Sequence, residues 1–186
     1  NGTHEGTNRY EIGNSNLDNE QNIQTDLSLE YKNQHFEFYV NGFYNAVNDF
    51  IFLEPNGEFV GEDPIFIYRQ QNAKLYGGEL GLHLHPHPLD WLHIESSYQT
   101  VIGKLADENN LPLIPANSWT NTLRFEFSKS QSKIQNGYFF ITLQSVFDQE
   151  NVSAFETTTL GYELLNVGVG GRFAIVGQPF DIRVSG

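Results

Sequence analysis

The stretch that decides the fold is QNAKLYGGELGLHLHPHPLDWLHIESSYQTVI, residues 71–102. Two alternating runs are joined there by a short proline-bounded turn. In the first run Tyr76, Leu80, Leu82 and Leu84 fall on one side, and Glu79, Gly81 and His83 on the other. In the second, Leu92, Ile94, Tyr98 and Ile102 oppose His93, Glu95, Ser97 and Gln99. A period of two means a strand with one apolar and one polar face. Glu79, His83, His93 and Glu95 are more charge than a packed core tolerates. The apolar side is therefore the covered one, and protein or lipid could cover it.

The same alternation extends both ways along the chain. Residues 1–20 are rich in Asn, Gly and acids and read mainly as loop. Strands follow at about 23–31 and 36–50, then a loop over 51–70 broken by Pro55-Asn56-Gly57 and Asp63-Pro64. Beyond the central hairpin and the loop 103–117, strands are expected at about 118–128, 138–148, 162–174 and 180–184. The turn between 128 and 138 falls on a Ser/Lys/Gln run. No helical period competes over any long window, so the chain reads as an all-β antiparallel meander of about eight strands.

Composition narrows the function. A formal charge of −13 leaves nothing to neutralise a row of phosphates, so nucleic acid is excluded as a partner. There is no Cys, hence no disulfide or thiolate metal site. No run approaches the roughly 20 apolar residues of a membrane helix, and no signal peptide is read. No Ser/His/Asp set, phosphate loop or paired-carboxylate geometry can be assembled. Neither catalytic residues nor a cofactor is expected.

Two regularities favour lipid over a protein core. Connections alternate between short turns and long loops, as in outer-membrane barrels. Aromatic residues of the apolar face also flank three short turns: Tyr31 and Phe36, Phe127 and Phe139, Phe173 and Phe180. Eight residues along the same face lie Tyr44 from Phe36, Trp119 from Phe127, and Phe147 from Phe139; Leu84 to Tyr76 is the same step. Eight residues on a tilted strand climb roughly 20 Å, close to the apolar band between aromatic girdles. Small hydroxyl residues (Thr25, Ser96, Ser145) interrupt that face mildly. The long loops are acidic: Glu54, Glu58, Glu62, Asp63, Asp107, Glu108, Glu150 and Glu156 stand against Arg69 and Lys104. Lys32, Lys129 and Lys133 fall in the short turns.

At this point the segments AKLYGGELGL (73–82), PLDWLHIESSY (88–98) and LPLIPAN (111–117), in that order, resemble the C-terminal barrel of TonB-dependent outer-membrane receptors. FYVNGFYNAVNDFI (38–51) is similar to an earlier strand of that family, RYEIGN (9–14) to a segment just upstream, and FDIRVSG (180–186) to the start of its penultimate strand. The resemblance covers nearly the whole chain. It implies that residues 1–186 are an open slice of a transmembrane barrel of about 22 strands, located in the outer membrane of a Gram-negative bacterium. It further implies an N-terminal plug domain and TonB as partners, both lying with the last strand outside these residues. The function implied is energy-coupled uptake of a scarce ligand, such as a ferric siderophore, haem or zinc.

Two groups of residues are candidates for binding. In the loop after residue 50, Glu54, Glu58, Glu62 and Asp63 stand among the aromatics Phe59 and Tyr68. Acidic rims concentrate cations, so a small cationic or metal-complex ligand is expected there; solvated loop charge is the competing reading. In the hairpin, pairing with i + j = 176 would set His83 opposite His93, and with Glu95 they could hold zinc or copper. The competing reading is a polar wall against the plug, with His85 and His87 merely in the turn. Arg124, Glu126, Glu79 and Arg172 are expected to form a polar network lining the lumen.

Two other architectures fit parts of the pattern. One is a complete eight-stranded outer-membrane barrel, an adhesin or defence protein, whose first and last strands would pair. The other is a soluble β-sandwich binding module, whose apolar face a second sheet would cover.

Overall fold

The computed structural model describes residues 2–4, 6–127, 134–175 and 178–186. Ten strands form one sheet: β1 (Gly2–His4), β2 (Arg9–Ile12), β3 (Gln21–Lys32), β4 (Phe36–Val60), β5 (Asp63–Leu84), β6 (Leu92–Leu105), β7 (Ser118–Phe127), β8 (Ile134–Val146), β9 (Tyr162–Ile175) and β10 (Gln178–Ser185). From β3 to β10 each strand pairs antiparallel with the next. Among the described residues no ladder joins β3 to β10. The eight-strand meander is thus an open slice, which a closed small barrel is not.

The ladder carries the two faces through the sheet without exchange. Leu29 pairs with Val40, Val40 with Leu80, Leu80 with Tyr98, and Tyr98 with Trp119. One step lower, Leu84, Ile94, Leu123, Ile141 and Val167 form a second apolar row. On the other face Glu37, His83, Glu95, Thr122, Thr142 and Asn166 run in register. The apolar rows stay open: Leu29 is 63 % exposed and Leu165 67 %. No second sheet packs on them among the described residues, which removes the sandwich reading. Aromatic rings close in a row near the short turns, with Tyr31–Phe36, Trp91–Phe125 and Phe125–Phe139 centroids 5.9–6.1 Å apart. On the apolar face three polar groups satisfy one another. The Trp119 indole N–H donates to Ser96 Oγ, which in turn donates to Asn121 Oδ1, both at 2.8 Å.

The polar face has its own device. Each of four large rings lies against the glycine paired with it on the next strand: Tyr39 on Gly81, Phe43 on Gly77, Tyr138 on Gly170, Phe140 on Gly168. A Cβ at Gly81 would sit 2.2 Å from the Tyr39 ring, and one at Gly168 2.4 Å from Phe140 Cε1. At Gly81, Gly168 and Gly170 the missing side chain is what makes room for the ring, the packing by which an aromatic covers a cross-strand glycine; at Gly77 a Cβ would meet the Thr100 carbonyl oxygen first, with Phe43 Cε1 at 3.1 Å. The polar network expected here divides into separate pairs. Arg124 donates to Glu126 at 2.9 Å, Arg172 to Asp181 at 3.0 Å, and the Tyr39 hydroxyl to Glu79 at 2.8 Å.

Two expectations are corrected. Residues 51–70 are not a loop, because β4 and β5 run on as a hairpin to the turn at Gly61-Glu62. The bulge between Pro55 and Phe59 absorbs Asn56-Gly57, Asp63-Pro64 pairs directly with Phe59-Val60 at the start of β5, and a further bulge lies between Val47 and Phe50. The described residues among 1–20 lie mainly outside strands, as expected, although within them β2 adds parallel to the upper part of β5 and β1 pairs with β2. The central hairpin pairs with i + j = 178, so His83 faces Glu95 and Leu84 faces Ile94. A slip of two keeps every side chain on its face. The expected turn over 128–133, with Lys129 and Lys133, and the Val176-Gly177 part of the last turn lie outside the described residues.

Residues on opposite faces should respond differently to charge. In the full-length receptor, Ile141→Arg is expected to cost about 2–4 kcal/mol of folding stability in lipid vesicles, with Thr142→Arg costing far less. Equal costs in a denaturant titration would contradict this assignment of faces.

Candidate metal centre and loop-side surface

At the short-turn end of the polar face, three imidazoles converge. His83 is the penultimate residue of β5, His85 follows it by two residues, and His93 enters from the start of β6. His83 Nε2 lies 3.1 Å from His93 Nδ1 and 2.9 Å from His85 Nε2. One nitrogen from each ring lies within 4.8 Å of the other two. The strand pairing brings them together diagonally, and the backbone bond from His85 N–H to His35 C=O continues the ladder past the end of β5. Burial, the largest effect, and the neighbouring His83 push the His85 imidazole below its usual range.

Carboxylates border the cluster. Glu95 Oε1 is 3.7 Å from His83 Nε2, and Glu126 Oε2 is 3.5 Å from His93 Nε2, the nitrogen turned away from the cluster. A recess of about 320 Å³ opens beside them, lined in part by Glu37, Tyr39, His83, Glu95 and Thr122. The nearby cations are paired with carboxylates of this border. The Arg124 guanidinium lies 4.0 Å above the Tyr138 ring and bonds Glu126, and Lys32 bonds Glu37 at 2.6 Å. Of the expected set, His83 and His93 come together, and Glu95 stands at the edge. His85, assigned by sequence to the turn, takes the third place. Its spacing of two from His83 was the available signal, because i and i+2 share a face of a strand.

The acidic candidates do not converge. Glu54 accepts from Arg69 at 3.0 Å, and the Tyr68 hydroxyl donates to Glu11 at 3.0 Å. Glu58, Phe59, Glu62 and Asp63 are left around the hairpin tip, where Phe59 is 65 % exposed. Glu108 accepts from Lys74 at 2.6 Å. The loops 106–117 and 147–161 are joined to each other: Asn110 donates to Val152 C=O and Gln149 to Ile114 C=O, at 2.9 and 2.6 Å. Beneath them Leu111, 1 % exposed, packs with Val47, Ala73 and Leu105.

A whole-chain comparison completes the description. Residues 1–186 match the family described as TonB dependent receptor-like, beta-barrel. The chain belongs to that family. In structure, the TonB-dependent receptor barrel is similar to a protein titled "Copper transporter OprC", with a TM-score of 0.74 and 18% identity, over 85% of this chain and 24% of that one. It is also similar to the FrpB iron transporter from Neisseria meningitidis (F3-3 variant), with a TM-score of 0.58 and 14% identity, over 91% and 26%. The chain therefore spans about a quarter of the length of these structures. Receptor barrels of this family are outer-membrane proteins of Gram-negative bacteria. Outer-membrane barrels turn tightly on the periplasmic side and carry long loops outside. On that pattern the apolar face is the lipid face, the histidines mark the periplasmic end, and the hairpin tip and joined loops mark the outer end.

Glu156 fastens the two joined loops. Its Oε1 accepts from Leu113 N–H at 2.9 Å and its Oε2 from Ser153 N–H at 3.0 Å. Burial, the largest effect, pushes this carboxyl up, but the backbone N–H groups of Ser153 and Leu113 outweigh it and hold the group below its ordinary 4.5. A depressed carboxyl stabilises the docked loops above the unfolded value and loses that contribution as pH falls through the folded one. Docking should thus be intact above about pH 4.5 and weaken only below it. Each charge-assisted bond contributes about 1.5–3 kcal/mol. Glu156→Ala should therefore speed amide exchange at Leu113 and Ser153 by roughly tenfold or more in the full-length receptor. Unchanged exchange would show that Leu111 packing alone holds the loops.

Proposed function

We propose that this chain is wall and outer surface of an outer-membrane transporter that takes up a scarce, metal-bearing small ligand, with energy relayed by TonB. The observation that carries the reading is the match of the whole chain to the receptor-barrel family, on a sheet whose apolar face is continuous and uncovered. The metals in the names of the two structural neighbours, copper and iron, support the metal-bearing class of cargo. An N-terminal plug in the lumen and TonB on the periplasmic side are the partners this function requires. Lipid is the partner of the apolar rows.

Cargo contact falls to the outer end. Glu58, Glu62 and Asp63, with Phe59 beside them, form a tip that attracts cationic or metal-bearing ligands and repels strongly anionic ones. Glu54 and Tyr68 also brace the hairpin, through Arg69 and Glu11, and Glu58 accepts from Asn56 Nδ2 at 3.0 Å. The joined loops offer a second, preformed surface beside it.

The test is uptake by cells carrying the full-length receptor as their sole route for a metal complex. Accumulation should require both the receptor and TonB, and uptake independent of TonB would overturn the reading. Replacing Glu58, Glu62 and Asp63 together by their amides should weaken ligand binding by about tenfold in calorimetry, for a loss of three partly screened charges. Unchanged affinity would return those residues to solvated loop charge.

A further inference from the structure

We propose that His83, His85 and His93 form a divalent transition-metal site in the barrel wall, suited to Zn²⁺, which pins the periplasmic end of the β5–β6 hairpin. The site is separate from the cargo surface at the outer end and stands whichever ligand the loops take.

Three features carry the assignment. The first is convergence. His83 Nε2 has the other two nitrogens at 2.9 and 3.1 Å, on rings supplied by two strands. Tetrahedral Zn²⁺ at about 2.0–2.1 Å from each nitrogen needs them roughly 3.3–3.4 Å apart. Those two separations reach that value with a shift of a few tenths of an ångström, and the His85 and His93 nitrogens lie within 4.8 Å of each other. The second is a fourth ligand: Glu95 Oε1, 3.7 Å from the same His83 Nε2, lies where a carboxylate can complete an N₃O set. The third is support behind a ligand. His93 presents Nδ1 to the cluster while its Nε2 faces Glu126 Oε2 at 3.5 Å, and the His93 side chain is only 12 % exposed. A carboxylate on the distal nitrogen fixes the tautomer and turns the ring toward a metal.

The cluster's charge balance agrees. Glu37, Glu95 and Glu126 surround the imidazoles, while the two nearby cations are tied to Glu37 and Glu126. Without a metal, three imidazoles sharing one nitrogen between two contacts make at most two hydrogen bonds. An ion ligates all three at once and closes the hairpin across its connecting turn at 85–91. With neither Cys nor Met in the chain, the donor set is imidazole and carboxylate, which suits Zn²⁺ and excludes a soft thiolate site.

The test uses the full-length receptor purified in detergent, stripped with a chelator and titrated with Co²⁺ as a spectroscopic probe, then with Zn²⁺ in competition. The expected result is one equivalent of Co²⁺ with the intense visible bands of a tetrahedral site, displaced by Zn²⁺. His83→Ala, His85→Ala and His93→Ala should each weaken binding by 100-fold or more and abolish those bands. Glu126→Gln should weaken it about tenfold, the usual effect of losing a ligand's hydrogen-bond partner. His35→Ala and His87→Ala, at the same end but outside the cluster, should change nothing. Each variant is first shown to be folded by its heat-dependent gel migration; where an alanine fails, the glutamine at the same position takes its place. The proposal is overturned if the receptor binds no Co²⁺ more tightly than the His83 and His93 variants. It is also overturned if the bands follow His35 or His87, or disappear only when Glu58, Glu62 and Asp63 are replaced. That last outcome would place the metal on the cargo surface and leave the transport reading intact.

Discussion

Hydrocarbon offers a backbone no partner, so every peptide N–H and C=O at membrane depth must be paired within the protein. The ladder from β3 to β10 meets that constraint strand by strand, and most else in the structure follows from it. Pairing fixes which residues share a face, and alternation then sends leucine, isoleucine and aromatic side chains to one side only. Polar groups on the lipid side survive where they find each other, as Trp119, Ser96 and Asn121 do. The same rule makes β3 and β10 strands that call for further partners in the membrane, since each is paired here on one edge only.

The fold was legible because the rule of two is strict wherever lipid covers one face. The faces of Leu80, Leu82, Ile94, Phe125 and Ile141 followed directly from it. What it does not encode is register in steps of two, because such a slip leaves every face unchanged. The pairing of His83 with Glu95 is set instead by the turn, where Leu89 N–H bonds Pro86 C=O and Leu92 N–H bonds Leu89 C=O. Pro55, Gly57 and Pro64 were read as strand breakers, but beyond the lipid a bulge can absorb Gly57 and Pro64 pairs directly with Phe59, so the hairpin continues to Val60 and Asp63. The candidate metal residues were legible in type and only partly in membership, since His85 was assigned to the turn and not to the continuing strand face. The acidic residues misled differently. Charge counts cannot show that Glu54, Glu108 and Glu156 are already occupied by Arg69, Lys74 and backbone amides.

The two ends of the sheet are built on different principles. At the outer end the loops hold each other through side chain to backbone bonds over a small apolar knot around Leu111. A surface ordered in advance spends little entropy when a ligand arrives. At the periplasmic end ionisable groups gather on short connections: five histidines (His35, His83, His85, His87 and His93) lie there, with the rings of His35 and His87 5.6 Å apart. The two ends thus differ in donor chemistry, imidazole with carboxylate at one and carboxylate with backbone amides at the other.

The rings laid over glycines give the lumen wall a texture. A Tyr or Phe standing upright would make a ridge, and anything moving along the barrel axis would have to turn rotamers to pass. Tyr39, Phe43, Tyr138 and Phe140 present faces instead, held low by Gly81, Gly77, Gly170 and Gly168. Those faces carry the negative side of the ring quadrupole, and Arg124 and Arg183 rest against two of them at 4.0 and 5.0 Å. On those two rings a guanidinium, and not the bare face, meets the lumen. Glycine positions and stacked cations thus set the height of the wall at these four places, without help from any turn or loop.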